Sequence, residues 1–257
     1  MINERSIKIN NWAAAIGLQA VDGLRTSQLL NQLSEENISG TKSFQDIKEI
    51  IRQTYGDNKN RLYEADMVAC NIAETLGMPE FIMSADFLAS IHRQLFKDVL
   101  EINGNFRDYN IMKREMILLG DSVHYADHLT IKARLNKIMD DEKSYKYSAK
   151  LTDNDIDHLS SFTSKLWQTH PFGEGNTRTT AVFIELYLKS MGFDVNNEPF
   201  RNSSDYYRNA LVRSCYESTT YNSVPTNKFL NRFYMNLLND SKNVLDSFDL
   251  FISNNDD

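Results

Sequence analysis

Apolar residues recur every three or four positions along most of the chain, the spacing that places side chains on one face of an α-helix. Two predicted helix starts carry residues that cap free backbone N–H groups: Ser84, and Thr152 with Asp155 in the spacing of a capping box. Gly192 is suited to ending a helix that begins near Asn176. The pattern predicts a mostly helical protein.

One stretch, residues 107–126, departs from helical spacing. Tyr109 and Ile111 precede an apolar run at 116–119, and Gly120 follows that run directly. This arrangement favours a short β-hairpin or flap over a helix. We therefore predict an all-α fold with a short β-hairpin flap.

Polarity along the chain indicates three regions. Residues 1–56 form a predicted N-terminal helical unit, and the polar stretch Tyr55–Asn60, which contains Gly56, is a predicted linker. Residues 57–240 form the predicted main domain. Residues 241–257 form a polar C-terminal tail that we expect to fray.

Composition narrows the possible classes of protein. The 257 residues include 10 glycines and 4 prolines, where average usage gives roughly 18 and 13. This scarcity excludes collagen-like, disordered and turn-dense all-β chains. The formal net charge of −7, without any run of neighbouring basic residues, predicts no binding to nucleic acid or to an anionic membrane.

The cysteines and the N-terminal residues indicate the cellular compartment. Cys70 and Cys215 lie far apart without a CxxC motif, so we expect reduced core residues. The first ten residues lack the apolar region of a secretory signal, and no apolar run approaches 18 residues. The expected location is cytoplasmic.

His124 and His128 have the spacing of a metal-binding pair, but no Glu lies between them and no third ligand is evident, so we expect no metal site there.

The segment His170–Arg178 (HPFGEGNTR) lies between two predicted apolar helices. Gly173 and Gly175 flank Glu174 just before a helix, which allows backbone N–H groups to point at one spot. The helix N-terminus adds partial positive charge there, so the loop suits a phosphate. Arg178 lies in the first helical turn, where a cation opposes the helix dipole and favours a bound anion.

Two side chains of this segment suit phosphate chemistry. Glu174 offers the oxygen ligand that Mg²⁺ prefers when it also binds phosphates. His170 is suited to taking a proton from an incoming hydroxyl, a contribution typically worth roughly 10²–10⁴-fold in rate.

The segment resembles the motif of the Fic family, HPFx(D/E)GN(G/K)R. The resemblance covers most of the chain and includes residues 107–110 (RDYN) and 207–213 (YRNALVR). It implies a helical fold. It also implies a protein adenylyltransferase, which transfers AMP from Mg·ATP to a Ser, Thr or Tyr hydroxyl of a target protein and in some cases to itself.

The resemblance also implies roles for single residues. His170 would deprotonate the target hydroxyl, Glu174 would hold Mg²⁺, and Phe172 would pack inward to fix the loop. The implied phosphate- and nucleotide-binding residues are Gly173, Gly175, Asn176, Thr177 and Arg178. The implied flap residues, which would align the target backbone by strand pairing, are Tyr109, Asn110, Ile111 and Lys113.

Departures from the family pattern concern regulation. Many members carry a second Arg three residues after the first, which pairs with an inhibitory Glu from an antitoxin-like helix; here that position is Ala181. Asp22 and Gly23 fall where such helices have Glu-Gly, and Leu18 replaces the Ser or Thr. A charged clamp needs both ends, so we expect a weakened inhibitory lock. In the alternative interpretation, Asp22 simply begins a turn with Gly23.

Other functions stay open on the same residues. The loop could transfer another phosphate-linked group such as UMP, could remove AMP, or could belong to a nucleotide sensor without catalysis. A helical partner-binding domain without nucleotide is a further alternative. Tyr206, Tyr207 and Asn209 are candidates for contacts to the adenine and ribose of the nucleotide, although a pair of tyrosines at helical spacing more often belongs to the core. The sequence leaves open the target protein and whether the chain forms a homo-oligomer.

Overall fold

The computed structural model describes residues 4–252, which fold into ten α-helices and several short 3₁₀ turns. The α-helices are α1 (Glu4–Gly17), α2 (Gln28–Ile38), α3 (Phe44–Tyr55), α4 (Arg61–Thr75), α5 (Ala85–Leu95), α6 (Ile131–Lys143), α7 (Asp153–Thr169), α8 (Asn176–Ser190), α9 (Glu198–Cys215) and α10 (Lys228–Leu238). The described part of the chain contains no β-strand, and an isolated bridge joins Ser218 to Ser223. The predicted helical class is confirmed.

Local capping signals are where the sequence predicted them. The Ser84 hydroxyl accepts a hydrogen bond from the Phe87 N–H at 3.1 Å and starts α5. At the start of α7, the Thr152 N–H donates to the Asp155 carboxylate at 2.8 Å, and the Asp155 N–H donates back to the Thr152 hydroxyl at 3.3 Å. These reciprocal bonds satisfy N–H groups that a helix leaves free at its N-terminus.

The predicted β-hairpin is not formed. Residues 107–126 are irregular apart from one 3₁₀ turn at Met116–Leu118. The Arg107 guanidinium lies between the two arms of this stretch and donates to the carbonyls of Tyr109 and Ala126. Because one side chain takes these carbonyls, the two arms are held together without the ladder of backbone bonds that a hairpin requires. We keep the name flap for residues 107–126.

Helix α9 starts at Glu198, with Pro199 in its first turn, although Ser203 and Ser204 further on are residues typical of a helix start. Proline is tolerated there because the first N–H groups of a helix lack partners in any case. Ser203 has non-helical dihedral angles, so the serines mark a kink within α9 rather than its beginning.

One hydrophobic core extends from Trp12 to Ile252 and crosses the predicted boundary at residue 56. Helix α1 packs against α4 and α9. The approach to α9 is close: a Cβ atom on Gly17 would lie 2.1 Å from the Phe200 carbonyl oxygen, so only glycine fits. The N-terminal unit is therefore packed into the same core as the main domain.

A buried carboxylate strengthens this attachment. Asp66 on α4 accepts hydrogen bonds from the Ser27 N–H at 2.8 Å, the Ser27 hydroxyl at 2.6 Å and the Tyr55 hydroxyl at 2.7 Å. Ser27 caps α2 and Tyr55 ends α3. One side chain thus joins two helices of the N-terminal unit to the main domain.

Residues 250–252 of the polar tail are anchored to the core, so the prediction that the tail frays is wrong for this part. Leu250 and Ile252 are buried. The Leu250 carbonyl accepts from Arg213 at 2.8 Å, and the Ile252 N–H donates to the Ile117 carbonyl of the flap at 3.0 Å. Leu250 and Ile252 therefore anchor the C-terminal segment, although its polar composition predicted that it would not pack against the rest of the protein. The last five residues of the predicted tail lie outside the described range.

Cys70 and Cys215 are both free, as the sequence predicted. Burial raises the pKa of the Cys70 thiol to about 12, which keeps the thiol protonated at neutral pH.

Among residues 4–252, no helix combines the length and apolar character needed to cross a bilayer.

Replacing Asp66 with Ala should lower the free energy of unfolding by about 3 kcal/mol, because a buried donor left without an acceptor costs about 1–3 kcal/mol. Urea denaturation measures this change. The matched control is Asp57→Ala, which removes an exposed carboxylate from the loop before α4. Equal stability of the two variants would contradict the anchoring role of Asp66.

Candidate active site

The candidate site is the six-residue loop, His170 to Gly175, that joins α7 to α8. Both ends of the loop turn sharply, with φ of 46° at His170 and 73° at Gly175. Gly175 combines this left-handed conformation with a close approach, since a Cβ atom there would lie 2.2 Å from the Phe96 ring. Glycine alone satisfies both constraints.

The first part of the loop is held by Arg107. Its Nε donates to the His170 carbonyl at 2.8 Å, and its backbone N–H donates to the Pro171 carbonyl at 2.8 Å. Because the same guanidinium also binds flap carbonyls, Arg107 fixes the loop and the flap relative to each other.

The middle of the loop is held by Asn176. Its amide nitrogen donates to the Phe172 carbonyl at 2.7 Å, and its amide oxygen accepts from the Phe172 N–H at 2.9 Å. The Phe172 ring is buried against His92. The Thr177 hydroxyl accepts from the Trp167 indole at 3.0 Å. The side chains of Asn176 and Thr177, predicted to bind phosphate, are thus engaged in holding the loop, which leaves their backbone N–H groups for a ligand.

His170 is enclosed but makes no side-chain hydrogen bond. The residue is 3% exposed, and its ring lies 4.1 Å from the Tyr125 ring and 5.3 Å from the Trp167 ring, between centroids. Neither ring nitrogen has a hydrogen-bond partner among the described residues. Burial, reinforced by the positive charge of Lys113, holds the pKa of the imidazole well below its usual range. The ring is therefore neutral at neutral pH and able to accept a proton.

Next to His170 are backbone donors without partners. The N–H groups of Gly173, Glu174 and Gly175 donate to no other described residue. They lie at the N-terminus of α8, whose dipole adds positive potential. A glycine-rich loop with free N–H groups at a helix start suits an anion.

Arg178 is 2% exposed and surrounded by acceptors. Its Nη2 lies 3.0 Å from Glu64 Oε1, its Nη1 donates to Gln19 Oε1 at 3.2 Å, and its guanidinium lies over the Phe96 ring. Its Nε is 2.9 Å from Asp22 Oδ2, an ion pair without the alignment of a hydrogen bond.

This ion pair corrects the expectation that Asp22 lacks a charged partner. Ala181 indeed offers none, but the Arg of the motif itself, Arg178, lies within reach. Gly23 explains the placement: its φ of 68° ends the 3₁₀ turn Leu18–Asp22 and leaves Asp22 facing the start of α8. The turn at Gly23 is therefore present, as the alternative interpretation predicted. Asp22 nevertheless has a charged partner, Arg178, although we expected the charged clamp to be weakened.

Glu174 is the candidate metal ligand. Its side chain is 64% exposed, and its Oε2 lies 3.6 Å from Lys113 Nζ. Among residues 4–252, no group of three or more His, Cys, Asp or Glu is placed to hold a metal ion, so His124 and His128 belong to no such group. A single carboxylate beside an anion site fits Mg²⁺, which keeps waters and shares phosphate oxygens with one or two protein carboxylates.

The resemblance predicts four target-docking residues on the flap: Tyr109, Asn110, Ile111 and Lys113. The Tyr109 hydroxyl lies against Gly173, where a Cβ atom would be 2.7 Å away. The Asn110 side chain instead bonds to residues 127–128. Ile111 is half-buried, and Lys113 contacts Glu174. Tyr109 and Lys113 therefore lie next to the loop, while Asn110 faces away from it.

Tyr206 and Tyr207 are fully buried core residues and offer no surface to the adenine or ribose of a nucleotide. Asn209 instead lines a groove of about 640 Å³ between α9, the flap and the C-terminal segment, together with Asp22 and Phe248. An ion pair borders this groove: the partly exposed Arg208 guanidinium donates to the buried Glu115 carboxylate at 2.7 and 3.0 Å.

Sequence reasoning missed His92, Glu64 and Tyr125. Glu64 and Tyr125 reach the site from distant parts of the chain, and no local pattern marks them. His92 carried a signal, because it follows Leu88 by four positions on the apolar face of α5. A polar side chain on such a face must find buried partners.

Comparison with known proteins agrees with this site. Residues 82–188 match the model of the Fic/DOC family. The fold resembles the 2.70 Å crystal structure of a Fic family protein from Desulfovibrio desulfuricans G20, with a TM-score of 0.51 and 13% identity. The match covers 82% of this chain and 58% of the other, so this chain spans less than two thirds of that protein.

Below pH about 6.5, the stability of the protein should fall partly because of His170. The unfolded imidazole takes up a proton there, while the native ring stays neutral. The unfolded state then binds more protons, and the free energy of unfolding decreases by up to about 1.4 kcal/mol per pH unit. His170→Asn, which tolerates the left-handed backbone, should show a shallower slope in urea denaturation between pH 6.5 and 5. Equal slopes in the variant and the wild type would contradict the neutral state.

Proposed function

We propose, on the match of residues 82–188 to the Fic/DOC family, that the chain is a protein adenylyltransferase. It would transfer AMP from Mg·ATP to a Ser, Thr or Tyr hydroxyl of a target protein. The observation that carries the proposal is the neutral, unpartnered imidazole of His170 beside the free N–H groups of Gly173, Glu174 and Gly175. A base and an anion site thus lie within one loop.

The loop accounts for each part of an in-line displacement. The free N–H groups bind the phosphates of ATP, and His170 takes the proton of the target hydroxyl through one of its ring nitrogens. A bond forms between the hydroxyl oxygen and the α-phosphorus, and the bond to the β-phosphate oxygen breaks, so pyrophosphate leaves. Fixed donors stabilise the charge that develops on the phosphates. Mg²⁺ held by Glu174 would neutralise part of that charge.

Access to His170 requires movement of the flap. Tyr125 lies over the imidazole, and Lys113 lies beside Glu174. Target binding would displace these side chains, because the incoming hydroxyl must reach a ring that is enclosed in the structure. The irregular flap then pairs with the target backbone as an added strand.

Asp22 suggests regulation of the same site. Arg178 is already engaged by Asp22, Glu64 and Gln19. A phosphate that uses this guanidinium must compete with the Asp22 carboxylate for it. The N-terminal unit would therefore restrain nucleotide binding through Asp22.

Incubation with α-labelled ATP and Mg²⁺ tests the proposed transfer. We expect label on a protein of the lysate or on the chain itself, and a loss of about 100-fold or more in His170→Ala, in line with the removal of a general base. The control His124→Ala removes an exposed histidine whose side chain lies outside the loop.

Four outcomes separate the alternatives. Label that is unchanged in His170→Ala would contradict the role of His170. Calorimetric ATP binding without label would favour a nucleotide sensor. Label from α-labelled UTP in place of ATP would favour UMP transfer, and release of AMP from a labelled target would favour the reverse activity.

Asp22→Asn should raise the rate of labelling at subsaturating ATP by about tenfold, because the variant removes the carboxylate charge that competes with phosphate for Arg178; a tenfold change corresponds to about 1.4 kcal/mol. The matched control is Glu36→Gln, which neutralises a surface carboxylate of the same unit that pairs with Lys42. Unchanged or slower labelling in a stably folded Asp22→Asn variant would show that this contact does not restrain the site.

A further inference from the structure

His92 lies on α5 but reaches the loop between α7 and α8. It is 2% exposed, and each ring nitrogen has a backbone partner. The Gly104 N–H donates to Nδ1 at 2.8 Å, and Nε2 lies 3.1 Å from the Glu174 carbonyl oxygen. An N–H group only donates, so Nδ1 is the acceptor, and Nε2 therefore carries the proton that it donates to Glu174.

The ring is also held on its faces. It stacks on Phe172 with centroids 3.9 Å apart and planes 20° apart, and it lies 4.6 Å from the Phe96 ring. Gly104 comes close enough to donate because it has no side chain: a Cβ atom there would lie 2.8 Å from Arg93 Cβ. Packing and hydrogen bonds together leave the imidazole one orientation.

Glu174 needs such a support from outside the loop. It lies between Gly173 and Gly175. Because glycine has no side chain, neither neighbour restricts the backbone conformation. Its own side chain is largely exposed. The bond from His92 to its carbonyl therefore fixes the direction from which the carboxylate leaves the chain.

The charge state of His92 suits this position. Burial lowers the pKa of the imidazole to about 4, so the ring is neutral at physiological pH. A neutral ring keeps Nδ1 free to accept from the Gly104 N–H.

We propose that His92 is a positioning residue that holds the Glu174 backbone and thereby sets the affinity of the site for a divalent cation bound with nucleotide. The inference rests on the proposed function, because it concerns the cation that the nucleotide brings. It assigns His92 no contact with the reacting atoms.

Two substitutions separate the two hydrogen bonds. In His92→Gln the side-chain amide nitrogen occupies the place of Nε2 and keeps the bond to Glu174. In His92→Asn the amide oxygen occupies the place of Nδ1 and keeps the bond to Gly104, but the side chain is too short to reach Glu174. A control is Asn71→Ala, which removes a buried amide bonded to the carbonyls of Leu95 and Lys97 at the end of the same helix.

The first measurement is calorimetric binding of ATP with and without Mn²⁺, in full-length protein that also carries His170→Ala to prevent turnover. We expect His92→Asn to weaken Mn²⁺-dependent binding about tenfold, the effect of one lost hydrogen bond. His92→Gln should stay within about threefold of the parent, and the loss in His92→Asn should be larger with Mn²⁺ than without metal. Equal weakening with and without Mn²⁺, or equal effects of Asn and Gln, would overturn the proposal.

The second measurement is amide hydrogen exchange without nucleotide, which does not depend on the proposed function. Exchange at the Phe172 and Thr179 amides, which donate to Asn176 and Gly175 on either side of Glu174, should be about tenfold faster in His92→Asn than in His92→Gln. Asn71→Ala should lower global stability without this local effect. Uniform acceleration across the chain in His92→Asn would show a general loss of stability and overturn the positioning role. If the wild type transfers no label but this local difference is present, the proposed function fails and the contact between His92 and Glu174 stands.

Discussion

The burial of Arg178 is the constraint on which the rest of the structure depends. A guanidinium enclosed at the N-terminus of α8 is opposed by the helix dipole and has lost most of its hydration. It is tolerated because Asp22 and Glu64 bring two carboxylates to it and Phe96 covers its face. Asp22 belongs to the N-terminal unit and Glu64 to α4, so this one cation determines where both elements lie. An anionic ligand would offer Arg178 the same compensation that the carboxylates now provide.

The loop before α8 combines rigidity with unused donors. Supports from three separate elements act on alternate residues: Arg107 holds His170, Asn176 holds Phe172, and His92 holds Glu174. The backbone N–H groups of Gly173 and Gly175 are left for a ligand. Donors that are already fixed need no reorganisation when charge develops near them, and this is the main advantage of a preorganised site.

Features that depend on neighbours in sequence were predictable, and those that depend on distant residues were not. The reciprocal bonds of Thr152 and Asp155 span three positions, and the turns at Gly175 and Gly192 follow from local conformation. The flap was mispredicted because its carbonyls bind the Arg107 side chain, which no alternation of residues reveals. The contact between His92 and Glu174 joins positions 82 apart. The pairing of Asp22 with Arg178 was not predictable for the same reason, because the two residues lie far apart along the chain.

The bond between Ile252 and Ile117 has a consequence for the order in which the protein acquires its structure during synthesis. Domains generally fold as units, and Leu250 and Ile252 belong to the same core as α8. That core is therefore complete only after residue 252 has left the ribosome. The flap receives its backbone contact from Ile252 at the same stage, so the anion-binding loop and the flap beside it are completed together.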